Sequence, residues 1–476
     1  MHPTGNLLTA ACLWTGVFAF IPYELKLDPP TTQNAPTRRF LPWESLSDAL
    51  INSQASSKAD EPVTLDVKRA PVRRNNDFNI VLSKTPSWPN TAALDQNGND
   101  LTYFAVVKIG SENQEFYMML DTGGTNSWVF SSNCATKACS MHDTFDETSS
   151  SSINVTTTEW SVGYGSGSAS GLLATDNLTI ADVEVQFTFG LATNASNNFE
   201  SYAMDGILGF GRSNDTSYNT PTFMDAVAEQ KNFDSNVVGF ALSRTKSGEK
   251  DGTVTIGGVD KDKFTGQISY TDTVTGSGNY WRIPVDDVYV NGNACDFSNK
   301  SAIIDTGTSY AMLPSKDAKA LHAFIPDSTA SGDYFLIPCN STANVQVVFS
   351  GVNYTISPQD YIGSQYKSSC ISTIVSYDLF GDDIWLLGDV FLKNVYAVFD
   401  FDQKRVGLAA RAYSGNTTSS SSSKASNSSS TDISTGSTAS SSSSNSTGNS
   451  ASGGISVHGS TYYLPALVVV LCTFLL

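Results

Sequence analysis

Two short runs in this chain set an aspartate between an apolar strand and a tight turn. The first is MMLDTGGTNSWVF around Asp121, and the second is AIIDTGTSYAML around Asp305, 184 residues later. Each acid closes a β-like apolar stretch and precedes Thr-Gly, so its carboxylate stands at a strand end. Two carboxylates held close together cannot both ionise cheaply, and in acid such a pair keeps one proton. The ionised member can take a proton from a shared water while the protonated member donates to a carbonyl oxygen. The tetrahedral intermediate then collapses with transfer of a proton to the leaving nitrogen. The titration belongs to the pair, so neither Asp121 nor Asp305 is assigned the proton. Gly123 and Gly307 permit close backbone approach, where their N–H groups can bind the inner carboxylate oxygens. Thr122 and Thr306 can brace the two loops through hydroxyl–backbone hydrogen bonds. A single Asp-Thr-Gly reads equally well as a surface turn; two of them, each after an apolar run, do not.

The elements that must hold this pair are legible around it. A looser repeat follows each acid, DGILGFGR at residues 205–212 and IWLLGDVFL at 384–392. Apolar-apolar-Gly segments at matched places imply two lobes of related architecture, with the acids meeting at the junction. From residue 78 to about 410, short β-rich runs such as TYFAVVKIG, EFYMMLD, SWVFSS, DGTVTIGG and NVYAVFDF alternate with Gly, Asn, Asp and Ser turns. Helical patterning is confined to FMDAVAEQ (223–230) and KDAKALHAFI (316–325). The expected fold is mainly β and bilobal, with lobes at 75–270 and 271–411 and a cleft between them. VGYGSGSASG is a Gly-rich turn carrying Tyr164, which can bend over such a cleft and exclude water.

Taken together, these motifs resemble the pepsin-like aspartic proteases over roughly residues 100–411, and especially the fungal surface group anchored by a lipid, the yapsins. The resemblance rests on DTG twice, VGYGSGSASG, DGILGFG and LLGDVFLKNVYAVFDFDQKRVGLA. It implies the pepsin-like fold and an aspartic endopeptidase that cleaves protein or peptide substrates in acid as a monomer, without cofactor or metal. It implies that Tyr164 is the tyrosine at the tip of a flap and that the Trp128 indole N–H holds it. Gly165 and Ser166 would then contact the peptide. The family places a hydroxyl residue after DTG; Thr308 supplies it for Asp305, but position 124 is Gly. Asp121 therefore lacks one tuning hydrogen bond, or takes it from Thr125 or a water. A yapsin-like preference for basic residues would draw on acids such as Asp378, Asp382 and Asp383. Ser166 offers no charge on the flap, so the expectation leans towards large apolar residues around the scissile bond.

Composition and the chain ends set the context. Asp and Glu outnumber Lys and Arg 46 to 28 in the 476 residues, a formal charge of -18, which opposes binding to nucleic acid. The four histidines, His2, His142, His322 and His458, form no metal-ligand pattern, and there is no GxSxG elbow or GKS/T loop. Residues 7–22 are apolar with Ala19 at a plausible cleavage point, so 1–19 reads as a signal peptide rather than an apolar strand or an anchor. Residues 20–74 carry several basic residues, eight Lys and Arg against seven Asp and Glu, with dibasic sites at Lys68-Arg69 and Arg73-Arg74. They read as a propeptide that inhibits the acidic body from within the chain until its acids protonate; a basic linker is the plainer alternative. Residues 412–452 are rich in Ser and Thr and suit an extended stalk. Residues 453–476 end in an apolar tail and read as a glycosylphosphatidylinositol (GPI) anchor signal, better than as a short transmembrane tail. Attachment falls at Asn449 or within 452–454. The expected location is the cell surface, at the plasma membrane or cell wall, by way of the secretory pathway. Of seven cysteines, Cys12 and Cys472 leave with the ends; Cys134 with Cys139 and Cys339 with Cys370 can close loops, leaving Cys295 over. Ten sequons, at Asn154, Asn177, Asn194, Asn214, Asn299, Asn340, Asn353, Asn416, Asn427 and Asn445, are candidate glycan sites. A cell-wall structural or adhesion protein is the non-enzymatic alternative, and it leaves the acid pair without a purpose.

Overall fold

The computed structural model describes residues 78–413, apart from 213–217, 245–246 and 379. The expected signal peptide (1–19), propeptide (20–74) and anchor signal (453–476) lie outside the described residues, as does the stalk beyond Tyr413. So do Asn214, Asn416, Asn427, Asn445 and Asn449.

In the first half, an eight-stranded sheet runs in the order Asp95–Gln96, Tyr103–Ile109, Gln114–Asp121, Gly206–Gly209, Trp128–Phe130, Val183–Ala195, Gly167–Ile180 and Asn154–Tyr164. The last six residues of Gln114–Asp121 are all buried, which is why FYMMLD is nearly unbroken in apolar character: the strand is covered on both faces. It pairs in parallel with Gly206–Gly209, and Asp121 stands opposite Gly209. Trp128–Phe130 lies antiparallel on the other side of Gly206–Gly209. The second half repeats this arrangement. Lys300–Ile304 pairs in parallel with Ile384–Leu387, with Ile304 opposite Leu387, and Ala311–Leu313 runs antiparallel to the latter. The two sequence repeats are thus two copies of one strand–turn–strand device, each delivering an aspartate to its turn.

A third sheet joins the halves. Its order is Thr91–Ala93, Thr253–Ile256, Val237–Ala241, Val395–Asp400, Arg405–Arg411 and Phe264–Asp272. Residue 270, the expected lobe boundary, lies inside the last of these strands, so the halves meet through shared backbone hydrogen bonds. Fully buried Trp281 packs edge-on against Phe399 and Phe401. Its indole N–H donates to the Phe210 carbonyl at 2.9 Å, which ties the second half to the first.

Helix is sparse, and its positions follow the patterning. Phe223–Glu229 starts at Thr222, which forms a capping box with Asp225. Ser315–His322 has its Ser315 amide and hydroxyl bonded to the Asp378 carboxylate at 2.8 and 2.5 Å. Disulfides link Cys134 to Cys139 and Cys339 to Cys370. The second closes a 31-residue separation, for which loop-closure entropy gives about 3–4 kcal/mol of stabilisation. Cys295 is a free, half-buried thiol that burial pushes up to about 12, so it stays protonated in acid. Among the candidate glycan sites, Asn154, Asn194, Asn299, Asn340 and Asn353 are exposed and Asn177 is half-buried.

Candidate active site

The two Asp-Thr-Gly turns meet face to face. The Thr122 amide donates to Thr306 Oγ1 at 3.1 Å, and the Thr306 amide donates to Thr122 Oγ1 at 3.0 Å. Each hydroxyl then reaches across to a strand carbonyl, Thr122 to Ile304 at 3.0 Å and Thr306 to Leu120 at 2.6 Å. All of these groups are buried, so four satisfied hydrogen bonds lock the turns in register. A threonine at each position provides both the donor and the acceptor that this symmetric clasp needs.

The clasp brings the aspartates together. Asp121 is 1 % exposed and Asp305 0 %. The Gly123 amide lies 2.8 Å from Asp121 Oδ1 and 3.1 Å from Asp305 Oδ1, so one N–H bridges both inner oxygens. The Gly307 amide donates to Asp305 Oδ1 at 2.8 Å, and Thr308 Oγ1 donates to Asp305 Oδ2 at 2.6 Å. Glycine is required at 307: a Cβ there would stand 2.5 Å from Asp121 Oδ1. The repeat glycines have a like task. A Cβ on Gly209 would meet the Thr125 carbonyl carbon at 2.6 Å, and one on Gly388 would meet the Thr308 oxygen at 2.0 Å. DGILGFG and WLLGD are therefore the strands against which the acid-bearing turns press.

The two acids are not equivalently furnished. Asp305 Oδ2 has the Thr308 hydroxyl, whereas Asp121 Oδ2 is buried without a hydrogen-bond partner. Thr125 does not replace the missing hydroxyl at 124. The Gly124 amide acts on Asp121 electrostatically but makes no hydrogen bond to Oδ2. Burial pushes Asp121 up to about 6, while the Asp305 carboxyl and the Gly123 and Gly124 amides pull it down. Burial also raises Asp305 well above the usual carboxylate range; the Asp121 charge adds to this, and the Thr308 and Gly307 bonds oppose it. Burial is the main cause of both shifts, and the charge on one acid opposes ionisation of the other, so the pair gives up its two protons in separate steps.

Over the pair, Asn154–Tyr164 and Gly167–Ile180 form a hairpin whose tip is Gly165-Ser166. Tyr164 is 8 % exposed and accepts a 2.8 Å hydrogen bond from the Trp128 indole N–H. Patterning alone did not show what holds Trp128. Trp160 stacks on it at 6.3 Å and Phe199 meets it edge-on at 5.3 Å. Phe199 also meets Tyr164 at 6.4 Å. Gly190 makes room for Trp160, since a Cβ there would lie 2.3 Å from its ring. A second unforeseen residue is Asp389 of WLLGD. It is buried, its amide donates to the Thr308 carbonyl at 2.8 Å, and burial raises its carboxyl well above the usual range. Asp205 of DGILGFG is buried as well, and its carboxylate accepts from the Tyr117 and Asp143 amides at 2.8 and 3.1 Å. An acid inside an otherwise apolar run is the signal that marks both.

Of the three acids considered for a basic-residue pocket, Asp378 is committed to capping the Ser315 helix. Asp383 is 3.5 Å from the Lys300 ammonium. All three, Asp382 included, are exposed. Among the described residues, no group of three or more His, Cys, Asp or Glu is placed to hold a metal ion.

A mainly-β chain with two clasped Asp-Thr-Gly turns under a tyrosine-bearing hairpin defines a pepsin-like protein, and the model of the eukaryotic aspartyl protease family matches residues 102–411. The chain belongs to that family. Its relatives include the aspartic-type endopeptidase ctsD of Aspergillus fumigatus, 52 % identical over 87 % of this chain and 88 % of that one. The probable aspartic-type endopeptidase CTSD of Trichophyton verrucosum is 39 % identical over 87 % of this chain and 81 % of its own. Pepsin A of the bat Rhinolophus ferrumequinum is 32 % identical over 70 % of this chain and 87 % of its own.

Proposed function

We propose that Asp121 and Asp305 are the catalytic pair of an aspartic endopeptidase that hydrolyses peptide bonds in acid through a water held between them. The observation that carries this reading is the single Gly123 N–H bonded to the inner oxygens of both carboxylates, which leaves their outer oxygens for water and substrate. With one proton on the pair, the anionic carboxylate deprotonates the water as it attacks the peptide carbonyl. The other carboxyl donates to the carbonyl oxygen, and the released proton passes to the leaving nitrogen. Tyr164, Gly165 and Ser166 close over the peptide, with Trp128 holding Tyr164, so that the charged intermediate forms away from bulk water. Because water is the nucleophile, no covalent acyl-enzyme forms. Cleavage in isotopically labelled water should place one labelled oxygen in each new carboxyl terminus, with no peptide left on the acid-quenched enzyme. A trapped acyl-enzyme would overturn this assignment.

We further propose that the enzyme travels the secretory pathway and is held at the cell surface in the manner of the yapsins. Residues 1–19 would be the signal peptide, 20–74 an inhibitory propeptide and 412–452 the stalk, with 453–476 exchanged for a lipid anchor near Asn449. What supports this is the order along the chain of an apolar segment, a segment ending in two dibasic sites, a Ser/Thr-rich segment and an apolar tail. Release of the protein from intact cells by a phosphatidylinositol-specific phospholipase tests the anchor; retention after treatment contradicts it.

A further inference from the structure

The hairpin over the acid pair is held to the body from one side. Its returning strand, Gly167–Ile180, pairs with Asn154–Tyr164 along one edge and with Val183–Ala195 along the other. Asn154–Tyr164 ends the eight-stranded sheet, so near the tip the strand that supports the hairpin is Val183–Ala195. That strand stops at Ala195, which stands opposite Ala169.

Ser196 extends the support by one more residue. Its amide donates to the Ser168 carbonyl at 2.9 Å, and its Oγ accepts from the Ser168 amide at 3.0 Å. In a regular antiparallel pair the Ser168 amide would bond the backbone carbonyl of the residue opposite. At 196 the chain instead turns into the short 3-10 helix Asn197–Ser201, and the Ser196 carbonyl is taken by the Phe199 amide at 3.2 Å. The hydroxyl stands in for that carbonyl. A serine at a helix start ordinarily spends its hydroxyl on its own first turn; Ser196 makes no such bond, and its hydroxyl goes to the hairpin.

The position of this contact gives it consequence. Ser168 pairs with Gly163, next to the closing pair of Tyr164 and Gly167, so the hairpin is held one pair behind Tyr164. The fit is close: a Cβ on Gly167, whose φ is +153°, would stand 2.6 Å from Ser196 Oγ and 3.2 Å from the Phe199 ring. Phe199 in turn meets Tyr164 and Trp128 edge-on. Ser196 and Phe199 thus form one cradle, the hydroxyl holding the backbone behind the tip and the ring holding the tyrosine.

We propose that Ser196 is a positioning residue for the hydrolysis read above, its hydroxyl holding the tyrosine-bearing hairpin closed over the acid pair. A peptide must lift the hairpin to enter and needs it down to react. A bond made in the closed position favours closure, so its loss weakens substrate binding. The hydrogen bonds of the acids come from Gly123, Gly307 and Thr308 and are left intact, so the chemical step and its pH dependence stay as they are. Ser196 also completes the sequon Asn194-Ala195-Ser196, and Asn194→Gln separates a glycan effect from a hydroxyl effect.

The test uses the full chain, matured in a secreting host. Ser196→Ala should raise KM for one peptide, and the inhibition constant of pepstatin, by about fivefold, as loss of one neutral hydrogen bond provides. Both limbs of the pH profile and kcat should stay at the wild-type values. Hydrogen exchange at the Ser168 amide should quicken in Ser196→Ala. Asn194→Gln should follow the wild type in every readout, as should Ser196→Thr, which keeps both the hydroxyl and the sequon. An unchanged KM, a loss confined to kcat, unaltered exchange at Ser168, or the same effect in Asn194→Gln overturns the proposal. Failure of the wild type to cleave any peptide instead overturns the endopeptidase reading, and the proposal with it.

Discussion

Replacing Thr308 by valine should move the alkaline limb of the pH–activity profile upwards by about one unit. The Thr308 hydroxyl donates to Asp305 Oδ2 at 2.6 Å inside a fully buried site. A hydrogen bond to a charged group contributes about 1.5–3 kcal/mol, and one pKa unit corresponds to about 1.36 kcal/mol. The bond is therefore worth roughly one to two units. The Gly307 and Gly123 amides, at 2.8 and 3.1 Å, still solvate Asp305 in the variant, which favours the lower figure. Asp305 ionises against the charge already on Asp121, and the bond favours its ionised form, so without it the pair needs a higher pH to lose its second proton. That loss is the alkaline limb, and the limb moves up. Valine keeps the branched shape and removes only the hydroxyl, while Thr308→Ser retains it and should follow the wild type. The assay is kcat/KM for one peptide from about pH 2.5 to 7, with folding checked by circular dichroism. An unmoved alkaline limb in folded Thr308→Val, or one displaced downwards, would refute the reasoning.

Further predictions follow from the same geometry. In Gly124→Ser, the new hydroxyl can reach the partnerless Asp121 Oδ2, but the added Cβ stands 2.7 Å from that oxygen. Once the carboxylate has given way, the acid limb should move down by about half a unit, a fraction of a full charged hydrogen bond; an upward shift in the pH profile would contradict this. Trp128→Phe removes the 2.8 Å donor to Tyr164, and kcat/KM should fall about tenfold, the equivalent of one buried hydrogen bond; an unchanged value would show that ring packing alone positions the flap. Burial holds Asp121 at about 6 in the folded protein, against about 3.9 in an unfolded chain. Its contribution to stability is thus complete below about pH 4 and is lost as pH rises through 6. Asp121→Asn escapes that loss. Its stability relative to wild type should be greater at pH 7 than at pH 4 by up to about 3 kcal/mol in urea unfolding, and an equal difference at both pH values would refute the shift.

Much of this site could be read from the chain because its parts are local. Asp121-Thr122-Gly123 and Asp305-Thr306-Gly307 each carry their own turn, and the strands before them are marked by apolar residues covered on both faces. The glycines of DGILGFG and LLGD were visible as a repeat, but their purpose was not. That purpose is contact with a turn far away in sequence, such as Gly388 against Thr308. Long-range packing explains the other omissions too. Trp160 and Phe199 frame Trp128 from separate segments, and nothing in their local sequence distinguishes them from ordinary core aromatics. The sheet joining the halves was also hidden, because Val237–Ala241 and Val395–Asp400 pair across about a third of the chain. The Asp378–Asp383 run looked like a source of charge for a substrate pocket; what the run did not show is that Asp378 also caps the helix that starts at Ser315.

The central claim is that one pair of aspartates performs hydrolysis in acid. Its most direct test is cleavage of a diverse peptide mixture by the matured full-length protein from about pH 3 to 6, with and without pepstatin, beside Asp305→Asn. The account predicts cleavage confined to the acid range and abolished both by pepstatin and by the substitution. Folded, matured protein that cleaves nothing, or cleavage that persists in Asp305→Asn, would contradict it.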